Sequence, residues 1–304
     1  MSKVLVTGGL GQIGSYVVER LSDEHEVTVI DNFSSSAVDA APDTVEVIHA
    51  DVQDPKIQDV VSKNDIIIHT AAQISVERSV QDPLFDALNN INGTINLLEG
   101  ARLGSVERFI YLSSAAVFGE PVRLPIDELH PQNPLSPYGV SKLGGEKYCM
   151  AYYYTYGLPT VCIRLFNIYS PRQNPNSPYS GVISKFIDRV ITGKPPIILG
   201  DGLQTRDFVS VHDIVDMISI VMEEGEAKGE VYNVGTGTMI SIYDLAKTII
   251  GLSGKDLDVG YGKPRKGDII ESYADISKAK NIGYDPKIKL KDGLNELILN
   301  LICI

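Results

Sequence analysis

Short runs of apolar, mostly β-branched residues alternate with longer, helix-length segments through the first half of the chain. The runs are residues 4–6, 27–30, 45–48, 66–68, 109–112 and 160–164. Runs without polar alternation are typical of parallel strands that are buried on both faces of a sheet. The pattern therefore predicts an α/β fold with a doubly wound parallel sheet, in which ligands bind at the carboxyl ends of the strands.

The alternation ends after about Asn167, where residues 171–178 (PRQNPNSP) are rich in proline, asparagine and serine. Such a composition is typical of a loop or a domain boundary. We therefore expect a first domain at residues 1–166 and a smaller C-terminal substrate-binding domain at residues 167–304. A segment at 208–223 is apolar on one helical face, so part of residues 208–234 is expected to rejoin the first domain.

Composition narrows the possible function classes. A chain of 304 residues can bury a large core, enough for one α/β domain with an appendage or for two modest domains. The net charge of −12 argues against a nucleic acid or an anionic membrane as partner, because no stretch supplies the basic patch that such a partner requires. An anionic small molecule would have to be bound by local cations.

Cysteine usage indicates a reducing compartment. Cys149, Cys162 and Cys303 lack C-x-x-C spacing, which favours buried thiols over disulfides or zinc ligands. No apolar run in the sequence is long enough for a signal segment or a membrane span, and the histidines show no metal-ligand pattern. We therefore expect a cytoplasmic protein without a metal site.

A glycine-rich turn at residues 7–14 (TGGLGQIG) directly follows the first apolar run and opens a helical segment. Gly8, Gly11 and Gly14 suit a tight turn, a close approach to a pyrophosphate, and a close helix–sheet contact. Free N–H groups at the start of the helix favour phosphate. Together with Gln12 and Ile13, these glycines predict a dinucleotide site.

Asp31 ends the second apolar run. A carboxylate at this position accepts hydrogen bonds from the adenosine ribose and repels a 2′-phosphate, which selects NAD over NADP. No arginine or lysine follows in the next five residues, and Asn32 and Ser35 in that loop are candidate cofactor contacts. Asp51 and Val52 are expected to end the third strand, where they are positioned to contact the adenine.

Tyr138 and Lys142 stand one helical turn apart in the sequence SPYGVSK. A phenol acts as a general base only as phenolate, which requires a pKa about three units below the reference value at neutral pH. The ammonium of Lys142 and a cofactor cation could share that shift. Tyr-x-x-x-Lys is a weak signal alone, but Ser113 and Ser114, at the end of another apolar run, are predicted at the same edge of the sheet.

These motifs, taken in register, resemble the extended short-chain dehydrogenase/reductases and, within that family, the nucleotide-sugar 4-epimerases of the UDP-glucose (UDP-galactose) type. The resemblance runs nearly end to end, and it implies a Rossmann domain at residues 1–166 with tightly held NAD. The segments that carry it are residues 7–14, 31–32, 69–73 (HTAAQ), 90–94 (NINGT), 113–119 (SSAAVFG), 138–142 (YGVSK) and 164–167 (RLFN).

The resemblance implies that Tyr138, Lys142 and Ser114 are catalytic. In the family, the tyrosine removes a proton from the sugar 4-hydroxyl while C4 gives hydride to NAD. The lysine lowers the pKa of the tyrosine and anchors the ribose, and the serine bonds the same sugar oxygen. The 4-keto sugar then turns over and regains hydride on the opposite face. Implied cofactor contacts, besides Tyr138 and Lys142, are Ala71, Ala72, Gln73, Asn90 and Ser113, whereas His69 is assigned a structural role.

Ala115 and Ala116 separate the chain from other branches of the family. Dehydratases carry an acidic pair at these positions, and decarboxylating relatives carry a glutamate. Because methyl groups cannot move protons, the alanines favour epimerisation.

The resemblance also implies a site for a UDP-hexose in the second half of the chain. The guanidinium groups of Arg206 and Arg265 suit the diphosphate. Asp268 is expected to contact the uridine ribose, and Ser272 is expected beside the sugar C2 substituent. The small side chain of Ser272 predicts that N-acetylhexosamines are accepted beside plain hexoses. The implied contacts, besides Ser114 and Tyr138, are Asn167, Gly181, Val182, Leu199, Arg206, Arg265, Asp268 and Ser272.

Residues 136–137 (SP) provide an N-cap and a first-turn proline for a helix that runs through Tyr156. Its outer face is expected to carry Tyr148 and Tyr152. With the helix that contains residues 84–103, it resembles the four-helix interface of the family, so we expect a homodimer.

Two alternatives to a UDP-hexose 4-epimerase stay open. One is a net oxidoreductase or another NAD-dependent nucleotide-sugar epimerase, for example one that acts on UDP-glucuronate. The other is a catalytically silent NAD-binding scaffold, for which the intact set of Ser114, Tyr138 and Lys142 gives no support.

Overall fold

The computed structural model describes residues 1–173, 181–264, 267 and 269–302. Its strands are β1 (Lys3–Thr7), β2 (Glu26–Asp31), β3 (Glu46–His49), β4 (Ile66–His69), β5 (Arg108–Ser114), β6 (Thr160–Leu165), β7 (Asn167–Tyr169), β8 (Ile197–Leu199), β9 (Thr205–Arg206), β10 (Phe208–Ser210), β11 (Glu230–Val234), β12 (Ile240–Ser241) and β13 (Gly260–Gly262). Its α-helices are α1 (Gly14–Leu21), α2 (Gln58–Val61), α3 (Val76–Gln81), α4 (Pro83–Ala87), α5 (Gly93–Leu103), α6 (Pro137–Tyr156), α7 (Val182–Ile191), α8 (Val211–Glu223), α9 (Ile242–Ser253), α10 (Ser277–Asn281) and α11 (Leu290–Ile302). A π-helical turn, Leu88–Asn92, joins α4 to α5.

The six apolar runs of the sequence form β1 to β6, and the predicted doubly wound parallel sheet is confirmed. Seven parallel strands lie in the order β11-β6-β5-β4-β1-β2-β3. The order reverses between β1 and β4, which is the place where doubly wound sheets bind dinucleotides. The third strand ends at His49, so Asp51 lies just beyond it rather than at its end.

The burial of β1 explains why the runs have no polar alternation. Val4 and Val6 belong to the hydrophobic core on one face of the sheet, and Leu5 belongs to the core on the other face. Successive side chains of a strand point to opposite faces. A strand covered by helices on both sides therefore needs an apolar residue at every position.

Local signals at both ends of α6 set its length. The Ser136 hydroxyl accepts a hydrogen bond from the Gly139 N–H at 3.1 Å, and Pro137 occupies the first turn, as predicted. Gly157 ends the helix in the left-handed region at φ 70°, which glycine adopts without the steric cost of a side chain. Neither α6 nor any other α-helix in the described ranges is long and apolar enough to cross a membrane.

Two side chains of α6 lie differently from their predicted positions. Tyr148 is exposed as expected, but Tyr152 is only 8% exposed, so its placement on the outer face was wrong. It packs into the core and donates a hydrogen bond to Glu99 of α5. Cys149 is buried as a free thiol beside the free thiol of Cys162. Cys303 lies outside the described residues.

The second half of the chain is built from short parallel or antiparallel strand pairs, β7 with β10, β8 with β13 and β9 with β12. Its own hydrophobic core lies among α7, α9 and α11. Residues 208–210 form a strand before α8 begins, so the predicted helical segment is shorter at its start. Helix α8 packs against α1, and β11 extends the large sheet beside β6. The boundary at residue 166 stays a prediction.

Candidate active site

Close backbone contacts shape the glycine turn after β1. The Gly8 N–H donates to Ile30 O at 2.7 Å, and the Gly11 N–H donates to Gly8 O at 3.0 Å. A Cβ at position 14 would lie 2.2 Å from Gly8 O, so only glycine fits. A Cβ at position 8 would lie 2.8 Å from the Ala71 backbone. Glycine at this position therefore lets the chain after β1 approach the chain after β4.

The residues at the start of α1 fit a bound pyrophosphate. Ile13, at the N-cap position, offers no side-chain acceptor to the first N–H groups of the helix. Free N–H groups at a helix N-terminus bind phosphate readily. The Gln12 Nε2 atom is buried and has no hydrogen-bond partner within the described ranges. The Gln12 amide therefore leaves a donor at this turn that a ligand can use.

The predicted adenosine contacts fall into two groups. Asp31 accepts hydrogen bonds from the Leu10 N–H at 3.0 Å and the Phe33 N–H at 2.8 Å, which holds the loop after β2 against the glycine turn. Asn32 Nδ2 donates to Asp51 Oδ2 at 2.8 Å, so these two predicted residues meet. Two others lie apart from this pair: Ser35 is exposed in the loop, and Val52 is buried against Gly93.

Gln73 and Asn90 form the candidate nicotinamide side with the loop that carries Ala71 and Ala72. The Gln73 N–H donates to Asn90 Oδ1 at 2.8 Å, and Asn90 Nδ2 donates to Gln73 O at 2.9 Å. Asn90 belongs to the π-helical turn, an irregularity that is frequent at functional sites. The structure thus pairs two predicted cofactor contacts from separate elements.

His69 lies inside the sheet rather than at a reactive surface. Its ring nitrogens lie 2.8 Å from Thr7 Oγ1 and 3.0 Å from Thr94 Oγ1. Burial, with a smaller contribution from the positive charge of Lys142, lowers the pKa of His69 to about 3. The imidazole is therefore neutral at physiological pH, in line with the structural role expected for it.

Ser113 is anchored by a buried ion pair that the sequence did not indicate. Its hydroxyl donates to Glu146 Oε2 at 3.0 Å, and Arg164 Nε donates to the same oxygen at 3.0 Å. Both charged side chains are almost completely buried. Arg164 belongs to a recognised motif, but Glu146 stands in no local motif and was missed.

Ser114, Tyr138 and Lys142 come together at the carboxyl end of β5. The Ser114 side chain interacts with Tyr138 and lowers the pKa of its phenol, and Lys142 Nζ lies 4.6 Å from the centre of the Tyr111 ring. Burial lowers the pKa of Lys142 to about 8. The structure therefore assembles the three predicted catalytic residues from β5 and α6.

The sequence predicted that Lys142 helps to lower the pKa of Tyr138, and the structure does not show that contribution. Burial raises the pKa of Tyr138, the hydrogen bond from Ser114 opposes that rise, and the negative charge of Asp86 adds to it. Lys142 is not among the groups that move the pKa of this phenol. A low-dielectric surrounding disfavours the phenolate, and the sequence spacing alone could not reveal that surrounding.

Parts of the predicted substrate site lie on short strands. Arg206 Nη1 donates to Thr205 O at 2.7 Å and to Ile269 O at 2.8 Å. Asn167 is the first residue of β7 and Leu199 is the last residue of β8, and both side chains are exposed. Ser272, by contrast, is only 7% exposed. Gly181 and Val182 begin α7. Arg265 and Asp268 lie outside the described residues.

Asp207 ties these strands together and was missed, although it follows Arg206 directly. Its Oδ1 accepts from the Thr236 N–H at 2.8 Å, and its Oδ2 accepts from the Gly237 N–H at 3.0 Å and the Ala274 N–H at 3.2 Å. The buried carboxylate thus joins the loops that flank Arg206 and Ser272. No cluster of three or more potential metal ligands occurs in the part of the chain that the structure describes.

The family is established by comparison with known proteins. Residues 4–235 match the model of the NAD dependent epimerase/dehydratase family, so the chain belongs to that family, and its cofactor is NAD. More particularly, it is an extended short-chain dehydrogenase/reductase similar to UDP-glucose 4-epimerases. The UDP-glucose 4-epimerase of Mycolicibacterium smegmatis is 38% identical over 307 residues, with 97% of each chain covered.

Two similar solved structures carry sugar nucleotides. The UDP-glucose 4-epimerase of Thermotoga maritima with UDP-glucose has a TM-score of 0.95 and 35% identity, and the match covers 99% of each chain. The UDP-N-acetylglucosamine 4-epimerase of Methanobrevibacter ruminantium, in complex with UDP-N-acetylmuramic acid, has a TM-score of 0.95 and 36% identity, and the match covers 99% of this chain and 98% of the other.

We expect Gly14→Ala to lose bound NAD, because the new Cβ would overlap Gly8 O in the turn. Steric strain of about 1–3 kcal/mol, if lost from NAD binding, corresponds to an affinity about 5- to 150-fold weaker. The measurement is the amount of dinucleotide released per protein chain on denaturation. Gly251→Ala is the control, because a Cβ there meets no atom within 4 Å. Wild-type NAD content in Gly14→Ala would contradict the assignment of this turn.

Proposed function

We propose that the protein interconverts UDP-glucose and UDP-galactose by epimerisation at C4, and also acts on the corresponding N-acetyl sugars. The observation that carries this proposal is the interaction of the Ser114 side chain with Tyr138, one helical turn before Lys142, at the edge of the sheet where dinucleotides bind. Tyr138 would take the proton of the sugar 4-hydroxyl and later return it. Ser114 would hold the same oxygen.

The charges of the protein fit such a base. NAD, when bound, supplies the hydride acceptor and, in its oxidised form, a positive charge. Because the protein itself raises the pKa of Tyr138, the phenol stays protonated until a cation is close. The Ser114 hydroxyl works in the other direction by stabilising the phenolate. Base strength would therefore develop mainly when the cofactor is in place.

The neighbours of Tyr138 favour epimerisation over dehydration. Ala115 and Ala116 form a helical turn directly after Ser114, and Ala116 O would lie 2.6 Å from a Cβ at Gly139. This turn therefore packs on the first turn of α6, beside Tyr138. Its two methyl groups carry no proton, so no second acid and base stand at these positions.

Incubation with UDP-hexoses tests the function directly. We expect the wild type to interconvert UDP-glucose and UDP-galactose without net production of NADH. Tyr138→Phe should lower kcat about 10³-fold, because the proton acceptor is removed. Tyr154→Phe is the matched control, since it makes the same change at an exposed position of the same helix.

Four results would contradict this function. Exclusive turnover of UDP-glucuronate would favour the uronate epimerase. Net formation of NADH would favour an oxidoreductase. Unchanged turnover in Tyr138→Phe would reject Tyr138 as the base. No turnover of any UDP- or dTDP-hexose by the wild type would favour a catalytically silent scaffold.

Ser272 is proposed to leave room beside the sugar C2 substituent. We expect the wild-type kcat/KM values for UDP-galactose and UDP-N-acetylgalactosamine to differ by less than about a thousandfold. Ser272→Tyr should lower kcat/KM for the N-acetyl sugar about a hundredfold more than for UDP-galactose, because the larger side chain fills that space. The plain hexose serves as the internal control for folding and chemistry. Equal losses for both sugars would reject the role.

We also propose a homodimer through the helices α4, α5 and α6. A groove of about 460 Å³ runs between Pro83 and Ala87 on one side and Pro137 and Val140 on the other. Around it, Leu84 is 68% exposed, and Val140 and Leu135 are also exposed. Contiguous exposed apolar side chains of this kind mark an interaction surface.

Leu84→Glu should convert the dimer to a monomer at micromolar concentration, because a carboxylate would be buried in the apolar interface. Static light scattering measures the mass. Leu129→Glu, at a position that is 89% exposed outside these helices, makes the same change and should leave the dimer intact. A wild-type protein that is monomeric throughout the micromolar range would reject the dimer.

A further inference from the structure

A buried carboxylate lies beneath the candidate nicotinamide side. Asp86 of α4 is only 1% exposed. Its Oδ1 accepts hydrogen bonds from Gln73 Nε2 at 2.7 Å and from Asn90 Nδ2 at 3.2 Å. Its Oδ2 is buried and has no hydrogen-bond partner among residues that the structure describes. The partners of this carboxylate are therefore neutral amides.

A buried carboxylate without a cation partner lowers the stability of the fold, so stability does not explain its presence. Buried carboxylates are normally paired with a cation, because a charge in a low-dielectric surrounding is poorly solvated. The charge of Asp86 does act on two other groups: it opposes the fall in the pKa of Lys142, and it raises the pKa of Tyr138. Both groups belong to the proposed catalytic set.

Hydrogen bonds connect Asp86 to the backbone of the catalytic helix. Asn90 Nδ2 lies within hydrogen-bond distance of Gln73 O, of Asp86 Oδ1 and of Ser141 Oγ, the last at 3.1 Å. The Ser141 hydroxyl in turn donates to Tyr138 O at 3.0 Å. An amide nitrogen has only two protons for these three acceptors, so the orientation of Asn90 depends on what occupies position 86.

We propose that Asp86 is a positioning residue whose buried negative charge sets the protonation of Tyr138 and Lys142 and whose carboxylate orients Asn90. This inference rests on the proposed catalytic function of Tyr138 and Lys142. It assigns to α4 an electrostatic role in addition to its contact with α6.

The sign of the effect is the same for both groups. A negative charge stabilises the ammonium of Lys142 and destabilises the phenolate of Tyr138. Asp86 therefore favours the ammonium form of Lys142, whose pKa burial lowers to about 8. It also delays the loss of the Tyr138 proton until a cation approaches.

Among the other ionisable groups around this pair, Cys149 opposes the fall in the pKa of Lys142 more than Asp86 does, and Cys162 opposes it less. For Tyr138, Asp86 is the charge that raises the pKa. Burial raises the pKa values of Tyr111 and Cys162, so both are neutral, and His69 is neutral because its pKa is about 3. The carboxylate of Glu146 is neutralised by Arg164. Other groups on the packed elements include Lys147 and the tyrosines further along α6, and Glu77 and Arg78 on α3, where the Arg78 guanidinium lies over the Phe85 ring.

The pH profile of kcat/KM for the NAD-loaded enzyme tests the role of Asp86. Deprotonation of Tyr138 sets its ascending limb and deprotonation of Lys142 its descending limb. Asp86→Asn removes the charge but keeps the shape, so both limbs should move to lower pH. Asp82→Asn is the matched control, because it makes the same charge change one turn earlier, at an exposed N-cap that asparagine also fills well.

Asp86→Glu, which keeps the charge, should restore both limbs towards their wild-type positions. Asp86→Ser, a second neutral variant, replaces Asp86→Asn if the latter does not fold. A lower rate with both limbs within about 0.2 pH unit of the wild type would show a purely structural role and overturn the proposal. Movement of the limbs in opposite directions would overturn it too.

A titration that is independent of turnover separates this inference from the proposed function. NMR of protein with ¹³C-labelled lysine, with the Lys142 signal assigned by its absence in Lys142→Arg, reports the pKa of Lys142 directly. We expect a lower pKa in Asp86→Asn than in the wild type and no change in Asp82→Asn. An unchanged Lys142 titration in Asp86→Asn rejects the inference even if the enzyme epimerises sugars. A lower pKa of Lys142 in Asp86→Asn supports the inference even if the enzyme does not epimerise sugars.

Discussion

The ion pair between Glu146 and Arg164 holds together the elements that carry the candidate chemistry. Glu146 on α6 accepts hydrogen bonds from Ser113 at the end of β5 and from Arg164 on β6. Removal of one partner from such a buried pair costs about 3–5 kcal/mol, because the other charge is left unpaired in a low dielectric. Lys142 and Tyr138 stand four and eight residues before Glu146, on the same helical face, so the pair also fixes the direction in which they point.

Low dielectric at this edge of the sheet gives the site its electrostatic character. Burial moves the pKa values of Tyr138 and Lys142 towards their neutral forms, upwards for the phenol and downwards for the ammonium. The Tyr138 phenol therefore loses its proton with difficulty, whereas the Lys142 ammonium loses its proton more easily than usual. Ser114 and Asp86 then adjust this balance in opposite directions for the phenol. In such a surrounding a single nearby charge has a large effect on proton transfer.

The proposed sugar-nucleotide half depends on a different kind of constraint. Its strands are two or three residues long and pair only two at a time, so backbone pairing alone gives them little rigidity. Asp207 compensates by accepting three backbone hydrogen bonds from two separate segments, residues 236–237 and residue 274. A buried carboxylate with several N–H donors is strongly held, and it fixes the loops around Arg206 and Ser272. Specificity for the sugar would therefore rest on side chains that a polar network positions, not on a large sheet.

The sequence by itself determined the parallel sheet, the glycine turn, the NAD preference inferred from Asp31, and the Tyr138–Lys142 pair. Each of these depends on local patterns, namely burial on both strand faces, backbone space at glycine, and the spacing of one helical turn. Tertiary structure alone decided the burial of Tyr152, the raised pKa of Tyr138, and the roles of Glu146 and Asp86. These features depend on which side chains from distant segments share a low-dielectric interior. Such contacts cannot be inferred from a local sequence pattern.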